Sequence, residues 1–102
     1  MTVIEIRQTD AYREWFATLR DPHARARIDI RVRRLSLGNP GNVRPVGRGV
    51  SELRIDWGPG YRVYFVKRGE ELVILLAGGD KSSQSRDIEN AITLAREIKG
   101  LK

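Results

Sequence analysis

No cysteine occurs among the 102 residues, which excludes a disulfide framework and a thiolate metal site. The absence fits a reducing, cytoplasmic setting. Only one histidine is present, His23, so a His-rich or Cys-rich metal centre is excluded, as are Ser/His/Asp and Cys/His arrangements built around a neighbouring base. No Asp/Glu spacing suggests a carboxylate metal site, and no metal or cofactor is expected. His23 reads as a surface residue in the first turn after Asp21-Pro22. Long apolar runs are also missing. The longest, Leu72–Ala77, is far too short to cross a bilayer and reads as a buried strand. The first residues lack a basic segment followed by an apolar one, so no signal peptide is expected and no membrane partner. Repeats, low-complexity tracts and long linkers are absent, and residues 1–102 read as one domain.

Basic charge is plentiful and unevenly placed. The formal net charge is +6, yet residues 20–68 hold 12 basic side chains, nearly all Arg, against 4 acidic ones. Arg offers a planar fork that matches phosphate, so the bias points to a polyanion such as nucleic acid; the alternative is a solvated helix face.

Val3–Arg7 reads as a short strand, followed by a helix that Asp10 is expected to cap. On it Tyr12, Trp15, Phe16 and Leu19 fall at i, i+3, i+4 and i+7, a core stripe rather than a base-stacking platform. Asp21-Pro22 opens a second helix, with Ala24, Ile28, Val32 and Leu35 on one face and arginines over much of the rest; Gly38 ends it. Residues 38–50, with four Gly and two Pro, predict an irregular basic loop carrying Arg44 and Arg48. A three-strand meander follows. Ser51–Asp56 alternates Leu53 and Ile55 against Glu52, Arg54 and Asp56. Trp57–Gly60 is a turn. Tyr61–Lys67 alternates Val63 and Phe65 against Arg62, Tyr64 and Val66. After a hairpin at Arg68–Glu70, the apolar run Glu71–Ala77 fits a central strand covered on both faces. A last helix is predicted from about Ser85 to Lys99. The order is β-α-α-β-β-β-α, an α+β fold with a mainly antiparallel sheet and helices packed on one face.

The polar face of the meander carries the chemistry. Cross-strand neighbours lie about 5 Å apart, so Glu52, Arg54, Arg62 and Tyr64 share a patch, with Arg68 and Lys81 at its ends. Such a patch supplies cations for a phosphodiester's developing charge and groups able to move a proton. The plainer reading is a surface ion pair of Glu52 with Arg54 or Arg62, worth about 0–1 kcal/mol. Gly78-Gly79-Asp80-Lys81 lacks the spacing of a Walker phosphate loop. It is either a plain exit from a strand or a place where bare backbone nears a substrate that Lys81 reaches.

Three segments, Gly49-Val50-Ser51-Glu52-Leu53-Arg54-Ile55, Gly58-Pro59-Gly60-Tyr61-Arg62-Val63-Tyr64-Phe65 and Leu75-Leu76-Ala77-Gly78-Gly79-Asp80-Lys81, resemble the RelE/ParE superfamily of toxins. More narrowly they resemble its HigB-like addiction module killer branch, related to a phage Gp49-type protein. The resemblance implies a type II toxin held by a helix-turn-helix antitoxin that also binds operator DNA. RelE and HigB relatives cut mRNA in the ribosomal A site, where the ribose 2′-hydroxyl attacks the adjacent phosphate and leaves a cyclic phosphate. Carried over, Arg54 and Arg62 hold the scissile phosphate, Lys81 lies near a further functional position, and Tyr64 and Glu52 are candidates for proton transfer or orientation. Arg44, Arg48 and Arg68 join Arg54, Arg62 and Lys81 as expected RNA contacts. One departure stands out: several relatives carry a late Tyr or His, and here neither occurs after Tyr64. The alternatives are a ParE-like inhibitor of DNA gyrase that cuts no RNA, and a plain nucleic-acid-binding module.

Overall fold

The computed structural model describes residues 3–98. β1 (Glu5–Gln8) leads into helix α1 (Asp10–Thr18), then α2 (Pro22–Ser36), four strands β2 (Val43–Gly47), β3 (Val50–Ile55), β4 (Tyr61–Arg68) and β5 (Leu72–Asp80), a short 3-10 turn (Lys81–Ser83) and α3 (Gln84–Glu97). The five strands form one sheet in the order β1-β5-β4-β3-β2, antiparallel except where β1 runs parallel to β5. This is the expected α+β fold with a mainly antiparallel sheet. The predicted end of the last helix, Lys99, lies outside the described residues.

Local chemistry sets the helix starts. Asp21 accepts a hydrogen bond from the His23 backbone N–H at 2.9 Å, with Pro22 opening α2 as expected. For α1 the cap is Thr9 rather than Asp10. The Thr9 hydroxyl accepts from the Tyr12 N–H and donates to the Leu76 carbonyl at 2.6 Å, so it ties the helix start to β5 while capping it. Asp10 falls inside the first turn, where its charge suits the helix dipole.

Two further expectations change. The predicted irregular loop over 38–50 contains β2, which pairs with β3 through Arg44↔Glu52 and Pro45↔Ser51. The strand is tolerated because it is an edge, where the N–H that Pro45 lacks is not needed by a further neighbour. Arg48 and Gly49 make the turn into β3, both at positive φ, the backbone hand that suits a two-residue hairpin.

The second change concerns layering. Helices cover both faces of the sheet. Tyr12 of α1 and Ile28 and Leu35 of α2 pack on Leu53, Ile55, Val63, Phe65, Val73 and Leu75. Ala91 and Ala95 of α3 pack on the opposite face, against Val50, Tyr64, Val66, Leu72, Ile74 and Leu76. Residues of both parities on β4 and β5 are apolar, so one-sided cover would leave half of them wet. The small alanines bring α3 close to one half of its face. On the other half Glu52 meets Gln84, the first residue of α3, and Arg54 and Arg62 stand two residues further along their strands.

Candidate functional site

β3 and β4 place the polar residues by register. Glu52 sits opposite Tyr64, and Arg54 opposite Arg62. The predicted alternation therefore brings all four side chains together. Their burial differs sharply. Glu52 and Tyr64 are fully buried and Arg62 is only 5% exposed, whereas Arg54 is partly exposed.

Glu52 is the hub. Its Oε2 accepts hydrogen bonds from the Tyr64 hydroxyl at 3.1 Å and from Nε2 of Gln84 at 2.8 Å. The guanidiniums of Arg44, Arg62 and Arg54 stand 3.5, 3.8 and 3.9 Å from its oxygens, close enough for charge attraction but beyond good hydrogen-bond length. Glu52 Oε1 and Arg62 Nε accordingly find no hydrogen-bond partner among the described residues. One carboxylate thus gathers three guanidiniums without neutralising them. Burial, followed by the Glu52 charge, pushes the Tyr64 phenol well above its ordinary range. Tyr64 is therefore a neutral donor that steadies Glu52, set behind the surface that a substrate would meet.

In front of this layer lies a cleft of about 360 Å³ lined by Asn42, Arg54, Asp56, Arg62, Lys81 and the Gly58–Gly60 turn. Arg62 donates to the carbonyls of Gly60 and Tyr61, which fixes its plane at the cleft floor. Gly60 has φ +81, and a Cβ there would stand 3.4 Å from both Arg62 Nη1 and Lys81 Cβ. A side chain at 60 would be strained and would crowd both cations. Arg31 of α2 donates to the carbonyls of Arg54, Pro40 and Asn42, stapling the Pro40–Asn42 segment to β3 beside the cleft. Burial lowers the pKa of Arg31, and the Arg34 charge adds to it.

Of the remaining nominated residues, Lys81 lines the cleft, and Arg44 flanks it through Glu52. Arg48 and Arg68 are not brought to it. Arg48 turns the β2–β3 hairpin, at the far end of β3 from Arg54. Arg68 ends β4, six residues from Arg62, about 20 Å along the strand, and donates to the Ala95 carbonyl near the end of α3. His23 is exposed, with its ring 6.3 Å from Trp57.

Packing inside the fold accounts for Gly78-Gly79. A Cβ at 78 would lie 2.1 Å from the Trp15 ring, and one at 79 would lie 1.9 Å from Asp87 Oδ2. These glycines make room for side chains on opposite faces of β5. The strand runs through them to Asp80, whose carboxylate accepts from Ser82 and starts the turn that carries Lys81.

Asp56, Asn42, Gln84 and Arg31 were not nominated from sequence. Asp56 shares the alternation of Glu52 and Arg54, so the pattern did carry a signal for it. Gln84 and Asn42 reach the site only through the docking of α3 and the pairing of β2, neither of which is written in local pattern.

Chemically the cleft fits an anion of phosphodiester size, with Arg54, Arg62 and Lys81 as its cations. No group of three or more His, Cys, Asp or Glu that could hold a metal occurs among the described residues. No helix among them is long and apolar enough to cross a membrane.

A family model described as phage derived protein Gp49-like (DUF891) matches residues 14–99, which include every cleft residue. An uncharacterized protein of Haemophilus influenzae (strain ATCC 51907 / DSM 11121 / KW20 / Rd) is 46% identical over 95 residues, covering 93% of this chain and 96% of that protein. The chain belongs to the Gp49-like family, a RelE/ParE-like family of toxins.

Proposed function

We propose that this chain is the toxin of a type II toxin–antitoxin module and acts as a ribosome-dependent mRNA endoribonuclease that stops translation. The observation that carries the reading is the convergence of Arg54, Arg62 and Lys81 on one cleft, backed by a buried carboxylate that orders the guanidiniums. Cleavage of RNA by its own 2′-hydroxyl needs such cations together with one group that takes the proton of that hydroxyl and one that gives a proton to the leaving oxygen. The 2′-oxygen bonds to phosphorus, the bond to the 5′-oxygen breaks, and a cyclic phosphate and a 5′-hydroxyl remain. Charge builds on the phosphoryl oxygens in the transition state, where fixed cations stabilise it most. Arg62, held by the Gly60 and Tyr61 carbonyls, is preorganised for this; Arg54 and Lys81 approach from the more exposed side. Glu52 and Tyr64 act as positioning residues, because burial keeps them from the substrate. The partner would be a helix-turn-helix antitoxin that silences the toxin and carries the complex to operator DNA.

Inducing the chain in cells and mapping mRNA 5′ ends by primer extension tests the reading. New ends inside translated messages, abolished by Arg62→Ala, are expected. Growth arrest with unchanged ends and a loss of gyrase supercoiling would replace it with the ParE-like reading. Salt-sensitive RNA binding with no arrest would leave only a binding module.

A further inference from the structure

We propose that Asp56 takes the proton from the attacking 2′-hydroxyl while Lys81, on the opposite flank of the cleft, gives one to the departing 5′-oxygen. The proposal rests on the ribonuclease reading above and supplies the acid–base pair which that reaction needs.

The lining of the cleft narrows the choice. Asn42, Arg54 and Arg62 offer an amide and two guanidiniums, none of which accepts a proton near neutral pH. Asp56 brings the one carboxylate of that lining. Glu52, the other carboxylate nearby, is fully buried and already accepts from Tyr64 and Gln84.

Both heads are also unengaged. Among the described residues, neither the Asp56 carboxylate nor the Lys81 ammonium takes part in a hydrogen bond or an ion pair. Asp21 and Asp80, by contrast, are spent on caps. A carboxylate inside an anion-binding cleft repels a phosphodiester, so phosphate binding does not explain its place there, whereas proton transfer would; on its other side Asp56 borders a second cleft that carries Arg27, Arg31 and Arg34 of α2.

Placement fits the displacement. Ile55 pairs with Tyr61, and Tyr61 with Asp80, so Asp56 and Lys81 each stand one residue past that row, on either side of β4. Their backbones are two strand spacings apart, about 10 Å. An in-line reaction sends its nucleophile and leaving group to opposite sides of phosphorus, and this gap leaves room for the phosphate between base and acid. Gly60 keeps the gap open, and Arg54 and Arg62 lie beneath it. The step balances without a co-reactant: the 2′-hydroxyl proton passes to Asp56, the electron pair of the breaking P–O bond stays on the 5′-oxygen, and Lys81 protonates that oxygen.

The test uses purified chain, programmed ribosomes and single-turnover cleavage, with thermal unfolding to verify that each variant is folded. Asp56→Asn is expected to slow cleavage on the order of 10²-fold or more. Its affinity for the same RNA carrying a 2′-deoxy residue at the scissile position should stay equal or tighten, and the acid limb of the wild-type pH–rate profile should vanish. Asp56→Glu, which keeps a carboxylate, should recover part of the rate. A substrate with sulfur in place of the 5′-oxygen has a leaving group that needs no proton; it should rescue Lys81→Ala and leave Asp56→Asn slow. An Asp56→Asn variant that cuts at the wild-type rate, or slows only as far as its binding weakens, would overturn the assignment while leaving the ribonuclease reading intact. A folded wild type that cuts nothing on ribosomes would overturn both.

Discussion

Tyr64 donates its hydroxyl to Glu52 at 3.1 Å, and neither side chain reaches solvent. The pair is the base on which the three arginines rest. Tyr64→Phe keeps the ring that packs under α3 but takes from Glu52 Oε2 one of its two hydrogen-bond donors, leaving Gln84. Losing a donor to a buried charge costs about 1–3 kcal/mol, which for a domain near this size lowers Tm by about 4–8 °C per kcal/mol. The wild-type phenol is held neutral in the fold, its pKa raised above 10.0 by burial first and the Glu52 charge second. A group raised on folding contributes stability that is whole below its unfolded value and is lost as pH rises toward the folded one. Wild-type stability should therefore fall as pH climbs past about 10, and Tyr64→Phe should soften that fall, leaving the share due to Tyr12, whose phenol is also raised by burial. A pH series of thermal melts measures both.

Arg54 has a different expected signature, because it is partly exposed and free to meet phosphate. Arg54→Ala should weaken RNA binding across sequences and reduce the slope of log affinity against log salt by about 1. Arg68→Ala should act on the fold instead, since its guanidinium holds the Ala95 carbonyl near the end of α3. Filter binding at several salt concentrations, beside urea unfolding, separates the two behaviours.

Much of this was legible in the sequence. Period-two alternation over Glu52–Ile55 and Arg62–Val66 assigned faces correctly, because a strand has only two. The helix stripe of Tyr12, Trp15 and Phe16 and the Asp21-Pro22 start were equally local. What escaped depends on docking. β2 was hidden by Pro45 and by Arg48 in a turn that usually takes Asn or Gly; only pairing with β3 makes it a strand. The side on which α3 packs decides that Gln84 meets Glu52, and the pattern of α3 shows an apolar stripe without saying which sheet face receives it. Helix docking also explains the glycines of β5, since Gly78 makes room for Trp15 of α1 and Gly79 for Asp87 of α3.

Those glycines support a graded prediction. Gly78→Ala drives a Cβ into the Trp15 ring, a large rigid group packed against the core. Overpacking of this kind costs about 1–3 kcal/mol or more. Gly79→Ala meets the Asp87 carboxylate, a shorter side chain held by Ser83, which can turn away by giving up that bond. Chemical denaturation should rank Gly78→Ala as the more damaging of the two. Gly79→Ala should also slow cleavage beyond its stability cost, because Asp87 holds Ser83, the last residue of the turn that carries Lys81.

Asp80 links the stability of the turn to the aim of Lys81. Its carboxylate accepts from the Ser82 hydroxyl and backbone N–H, and these bonds, the side-chain one first, hold its pKa below the ordinary 3.8. A carboxyl depressed on folding contributes stability that is present above its unfolded value and is lost as pH falls through the folded one. The turn should thus loosen as pH drops below about 4. Asp21, depressed mainly by the His23 N–H, works in the same direction at the start of α2, so the two must be separated by substitution. Asp80→Asn should flatten part of the acid limb in thermal melts, and Asp21→Asn a different part. Only the first should also slow RNA cleavage at neutral pH, because Lys81 directly follows Asp80, whereas Asp21 caps a helix outside the cleft lining. Equal loss of cleavage in both variants would show that the turn does not set the position of Lys81.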